Sequence, residues 1–345
     1  MFFKIVQDMM INNIKYIKGS LAVIVLLFAV TLVSSGQPVP GIDENIPYLM
    51  TFGKDGKTSW GDDDFSQTFF FQIPLDYKEP FYIRVFDPDT GGEHDEINGI
   101  WNTRMLYSVY GGAECYSHED AKGIDPTGNY KSGTLLFSRS FGQDPAYDNK
   151  WYTFGPINPT EGEFVSKWNS YVFKIICDGV SGDDGNTYRY FLSRDANANR
   201  PIEGANAFTY EYTFRMWNDT TNVMHIYPFV DSACIFVRVR NFDWDSDGTI
   251  LVISEVREGQ ELKVSGEDEW AEDRIIVFAE EKERSYDFQF HKRKDFLVRN
   301  NNVVIRVENQ YGESMPFFSA PLGGIPVYKP GIVVKPKNPP VKKGN

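Results

Sequence analysis

Apolar residues recur at every second position through much of this chain, in short runs separated by polar turns. The stretch 69–92, FFFQIPLDYKEPFYIRVFDPDTGG, sets the pattern. Two apolar-aromatic runs, 69–73 and 81–86, flank a Pro-bounded polar turn at 75–80. In the second run Tyr82, Arg84 and Phe86 fall on one face, and Phe81, Ile83 and Val85 on the other. Alternation of aromatic and β-branched residues predicts an antiparallel strand half-buried in a sheet. That strand ends in Asp87-Pro88-Asp89-Thr90-Gly91-Gly92, a turn rich in carboxylates. The same plan returns at 235–248, IFVRVRNFDWDSDG, where an alternating strand runs into Asp243, Asp245, Asp247 and Gly248.

Read this way from end to end, the chain is all-β: two tandem β-sandwich domains of jelly-roll or immunoglobulin-like type. The N-terminal sandwich is expected over 37–222, with further strands at 46–52, 100–110, 134–141, 151–154, 171–177, 188–192 and 208–217. A helical turn is expected at 164–168. The loop 111–133, which carries His118, Glu119, Asp120 and Asp125, is long enough to suggest a function beyond connection. The apolar-free stretch NDTTN at 218–222 marks the boundary. Seven or eight short strands between 223 and 321 suit an immunoglobulin-like or C2-like sandwich. Within it, 266–273 (GEDEWAED) reads as a solvated acidic loop. From 322 to 345 the chain turns Pro- and Lys-rich without Asp or Glu, as expected of an extended, polyproline-like tail.

The N-terminus departs from the alternating pattern. Lys15 and Lys18 precede the 13-residue apolar run LAVIVLLFAVTLV, followed by Ser34-Ser35-Gly36. This predicts a secretory signal peptide over 1–36 cleaved before Gln37, too short for a membrane-spanning helix. The removed part carries Lys4, Lys15 and Lys18 against Asp8, so the formal charge of −13 becomes −15. An acidic body argues against nucleic acid or anionic membrane surfaces as partners. The three cysteines, Cys115, Cys177 and Cys234, cannot all pair. Cys177 and Cys234 lie in strand-like runs and are expected to be buried. A disulfide from Cys115 to either is the alternative.

Calcium is the candidate ligand of the acidic turns, because it takes six to eight oxygens from carboxylates and backbone. Asp243, Asp245 and Asp247 fit positions one, three and five of an EF-type loop. The twelfth position falls on Ser254 and the flanks are strands, so an EF-hand is excluded. A sandwich-end site from these three remains, with Asp87 and Asp89, joined by Asp183 and Asp184, as a second. The ordinary role of such residues is to cap turns. No GxSxG, HExxH or Walker-type motif occurs, and the four histidines, His94, His118, His225 and His291, carry no metal spacing. The chain is therefore read as non-enzymatic. Trp60, Trp101, Tyr110, Trp151 and Trp168 are candidates for stacking sugars, against a role in the core.

The Ser-Gly before Gln37 and the Tyr-, Phe-, Asn- and Asp-rich β composition resemble exported proteins of Bacteroidota. The Gly-x-Tyr strands of type 9 secretion cargo are missing from the Pro-rich end, which points to a periplasmic resident. In size, export signal and acidic two-sandwich plan the chain resembles the Plug subunits of the type 9 translocon. That resemblance implies a periplasmic protein associated with the outer membrane, whose partner is a large outer-membrane β-barrel complex. The alternative is a cell-surface module binding glycan or acting through calcium.

Overall fold

The computed structural model describes residues 38–293 and 301–330. The expected signal peptide, residues 294–300 and the tail beyond Pro330 lie outside the described residues. The described chain is all-β, with short 3-10 turns and no α-helix. Two antiparallel sheets of nine and seven strands dominate, with a four-stranded and a two-stranded sheet beside them.

The nine-stranded sheet runs from Trp270–Ile276 through Phe236–Phe242, Asn302–Glu308, Glu211–Arg215, Tyr48–Phe52, Gly185–Ser193 and Phe81–Phe86 to Trp151–Ile157, with Pro38–Val39 as a ninth strand on Gly185–Ser193. Glu211–Arg215 pairs with Tyr48–Phe52 on one side and with Asn302–Glu308 on the other. Hydrogen bonding therefore passes without a break across the 218–222 turn. In the seven-stranded sheet, Ser66–Pro74 and Arg104–Gly111 both pair with the long strand Ser170–Ser181. Thr134–Phe141 is the edge on that side, at the bounds its alternation predicts.

The main core fills the space between these sheets. Phe69, Phe71 and Ile73 face it from one side, and Tyr188, Tyr190 and Leu192 from the other. The same apolar cluster extends to Val237, Trp244, Ile250 and Phe290. Alternation turns Phe70 to the opposite face of the seven-stranded sheet, where it stacks on Phe208 with centroids 5.1 Å apart. Gln67 ties the two sheets together: its Nε2 donates to the carbonyls of Met50 (3.2 Å) and Thr213 (3.1 Å), and its Oε1 accepts from Thr213 N (3.2 Å).

Three local expectations change. The run 208–217 is two strands in two sheets, Asn206–Thr209 and Glu211–Arg215, because the chain crosses between sheets at Tyr210. Thr209 Oγ1 pins that crossing by donating to the carbonyls of Thr68 and Glu211 (2.7 and 2.6 Å). The helical turn expected at 164–168 forms over its second part only, as the 3-10 turn Ser166–Trp168, after a short strand, Glu163–Val165. The acidic loop 266–273 gives way at Trp270 to the edge strand Trp270–Ile276. Acidic residues are tolerated there because the outer side faces solvent. Lys263 Nζ donates to Glu272 O (3.2 Å) and Arg257 to Ile276 O, so side chains block the open edge against pairing with another chain.

Candidate functional site

The outer face of the seven-stranded sheet carries a cleft. Phe318 lines its floor and packs with the fully buried Phe70 and Phe208 in one apolar cluster, and the 112–133 loop rises along one wall. That loop is anchored from below. Cys115 and Ala121 are fully buried, and Lys174 Nζ donates to Tyr130 O (2.6 Å) and Ser132 Oγ (3.3 Å). Burial pulls the Lys174 ammonium down to about 8. His118 caps the 3-10 turn that follows it: its Nδ1 accepts from Asp120 N at 3.1 Å.

The cleft measures about 470 Å³, within the range of small-ligand sites. Tyr116 and Trp168 meet with ring centroids 5.0 Å apart, and the Tyr116 and Tyr210 hydroxyls share a hydrogen bond of 3.0 Å. Lys122 Nζ sits 4.7 Å above the Tyr210 ring, and burial lowers its pKa against the pull of Glu313. Asp231 and Glu283 complete a polar rim. A second, more polar cleft of about 320 Å³ shares Lys122, Glu313 and Ser314 with the first. Of the five aromatic candidates, Trp168 lines the cleft. Tyr110 lies beneath Lys174, Trp60 packs on Phe52, Trp151 packs between Phe86 and Arg84, and Trp101 is half-buried outside it. Tyr116 and Lys122 sit in the loop whose length was the one signal that could have found them.

The acidic turns stand elsewhere, and the structure gives them different partners. Asp247 Oδ2 pairs with buried Lys292 Nζ at 2.8 Å, and Lys292 also donates to Asn301 Oδ1 (2.7 Å). Asp243 turns to the 267–269 loop, where its Oδ1 accepts from Asp268 N. Burial pushes Asp243 up to about 7, and Asp245, Asp268 and Glu267 add to the rise. Asp243 and Asp245 hold φ values of 58° and 51°, the left-handed turn geometry that Asp tolerates.

Asp184 is a latch: its carboxylate accepts from the backbone N–H groups of Asn98 (2.9 Å), Asn102 (2.8 Å) and Thr103 (3.1 Å). Asp183 takes the Asn98 amide at 2.6 Å. Neither joins Asp87 and Asp89, whose bonds run to the 144–149 loop.

Asp62, Asp63 and Asp64 bring one carboxylate oxygen each within 4.8 Å of the others. Three aspartates in a row are the signal by which the sequence could have shown them. Burial raises all three, Asp62 to about 7. Asp62 is spent on the backbone N–H groups of Phe52 (2.7 Å) and Phe65 (3.0 Å), and Asp63 on the Arg306 guanidinium. Arg306 also pairs with Glu211 and with Asp125 (3.1 Å).

All three cysteines are free and buried. Cys115 and Cys177 lie on opposite faces of one sheet, so the alternative Cys115 disulfide does not form between them. Burial pushes Cys115 up to about 12 and Cys234 up to about 11, which keeps them as thiols. No family model matches the chain, and no curated protein aligns with it.

Proposed function

We propose that this chain is a non-enzymatic, exported β-sandwich body that works by protein–protein contact. In the form suggested by its resemblance to the Plug subunits, it is a periplasmic protein that closes the pore of the type 9 translocon by bulk. The observation that carries this reading is the unbroken nine-stranded sheet, in which Glu211–Arg215 is bonded to strands from both ends of the chain. A body held by one sheet and one close-packed core resists deformation, as a steric stopper must. Energy for opening and closing the pore then comes from interface contacts rather than chemistry. Cross-linking in intact cells, followed by mild detergent extraction and mass spectrometry, tests the reading. A large outer-membrane β-barrel is expected as the main adduct, and recovery of the chain only as free soluble protein would overturn it.

The cleft favours a second reading, a surface module for glycans. Aromatic faces ringed by Lys122, Asp231 and Glu283 match the mixed polarity of sugars. Retention on polysaccharide columns that is lost in Trp168→Ala would select this reading over the first.

A further inference from the structure

We propose that the space between the 87–92 turn and the 144–149 loop binds a divalent cation, with Asp87 and Asp89 as fixed ligands and Asp148 closing over it. The all-oxygen donor set selects calcium. Asp87 is 0% exposed and Asp89 1%. Each spends one carboxylate oxygen on the facing loop: Asn149 N donates to Asp87 Oδ1 (2.8 Å), and Asp144 N to Asp89 Oδ2 (3.1 Å). The two side chains thus grip the two ends of one loop. Their other oxygens, Asp87 Oδ2 and Asp89 Oδ1, are buried and have no hydrogen-bond partner, and neither has the fully buried Thr90 Oγ1. Buried carboxylate oxygens are rarely left this way, because each forfeits its hydration without replacement.

Asp148 is a third carboxylate beside the turn, near enough to act on both Asp87 and Asp89. It packs so close over Gly92 that a Cβ there would lie 2.3 Å from its Oδ1, and Gly92 holds φ at 83°. Asp148 helps burial raise both Asp87 and Asp89 to about 6. Arg189, whose charge acts on Asp87, makes its direct contacts elsewhere: its guanidinium lies 4.2 Å over the Tyr48 ring and its Nε donates to Pro47 O (2.7 Å). Two of the other acidic turns have built-in counter-charges, Arg306 for Asp63 and Lys292 for Asp247. The 87–92 turn is tied down by a further carboxylate, Asp95, which accepts from Gly91 N (2.8 Å) and Thr187 N (2.7 Å). Its ligands are therefore held in place before any ion arrives.

The test uses the whole mature chain. Trp151, whose ring lies 5.4 Å from that of Phe86, is close enough in sequence to the loop to sensitise terbium luminescence. Terbium emission on Trp excitation, displaced by calcium, is expected from the wild type and from an Asp76→Asn control. Calcium at roughly 100 times its Kd should also raise the melting temperature by about 5 °C, reversed by chelator. Asp89→Asn and the less buried Asp148→Asn should each lose both effects; the second guards against a folding defect in the first. Calcium-independent melting of the wild type overturns the proposal. So does calcium-dependent melting that survives in both variants, because the ion would then sit elsewhere.

Discussion

Glu44 shows how a single buried carboxyl can set the pH response of this fold. It is fully buried, accepts from Gly41 N and from the Tyr212 hydroxyl (2.9 Å), and leaves Oε1 without a partner. Loss of hydration on burial outweighs those bonds and raises its pKa from 4.5 to about 8. The folded state therefore holds a proton that the unfolded chain releases. Below pH 4.5 both states are protonated and the contribution to stability is intact. As pH rises from 4.5 towards 8 that contribution is lost, by at most about 1.4 kcal/mol per pH unit. Above 8 the loss is complete. Glu44→Gln keeps the shape and an acceptor oxygen but cannot ionise, so its stability should fall less steeply between pH 5 and 8. Urea unfolding of both proteins across that range measures the difference, and parallel curves would show that Glu44 does not titrate there.

At the scale of strands, what holds the two large sheets in register is a few side chains that cross between them. Gln67 is the clearest, because its amide satisfies buried backbone groups on two strands of the opposite sheet. Gln67→Leu fills similar volume yet strands Thr213 N and the Met50 carbonyl, at a cost of about 1–3 kcal/mol. Gln72→Leu, on the same strand but half-buried and bonded only to Ser170 Oγ (3.3 Å), should cost little. Equal losses in chemical unfolding would remove the special role of Gln67. Such cross-links mark the limit of what periodicity reports. Phe81–Phe86 and Thr134–Phe141 were legible because alternation and flanking turns are local signals. The switch of sheet at Tyr210 was hidden, since period two says which face a residue takes and not which sheet receives it. Acidic composition concealed Trp270–Ile276, an edge strand with a solvated side. The aspartates of the turns could be read, but Lys292, Asn149 and Arg306 reach them from distant segments. Only the fold decides which carboxylate receives a cation and which is left bare. Trp168 was visible as a stacking aromatic, whereas the cleft around it needs Tyr116, Phe229 and Phe318 from three separate stretches.

For the molecule as a whole, the question is whether the halves before and after 222 can stand apart. Arg306 argues that they cannot. It comes from the C-terminal half, yet its guanidinium supplies the counter-charge for Glu211, Asp63 and Asp125 in the N-terminal half. Its strand also closes the edge of Glu211–Arg215 along five paired residues. A fragment of residues 37–222 would expose that edge and leave Glu211 and Asp63 buried without a cation. Removing one partner from a buried ion pair costs about 3–5 kcal/mol by itself, a large part of the total stability of most proteins. The fragment alone is therefore expected to aggregate or to melt without cooperativity. Co-expressed with 223–330, it should form a soluble complex with a single transition. Arg306→Met in the intact chain should show the same dependence in milder form, as a lowered unfolding midpoint partly recovered by adding Glu211→Gln. A cooperative melt of 37–222 alone, at the temperature of the full chain, would mean that the shared sheet adds nothing. The body would then be two hinged pieces, and a stopper that must keep its shape against a moving channel would lose its physical basis.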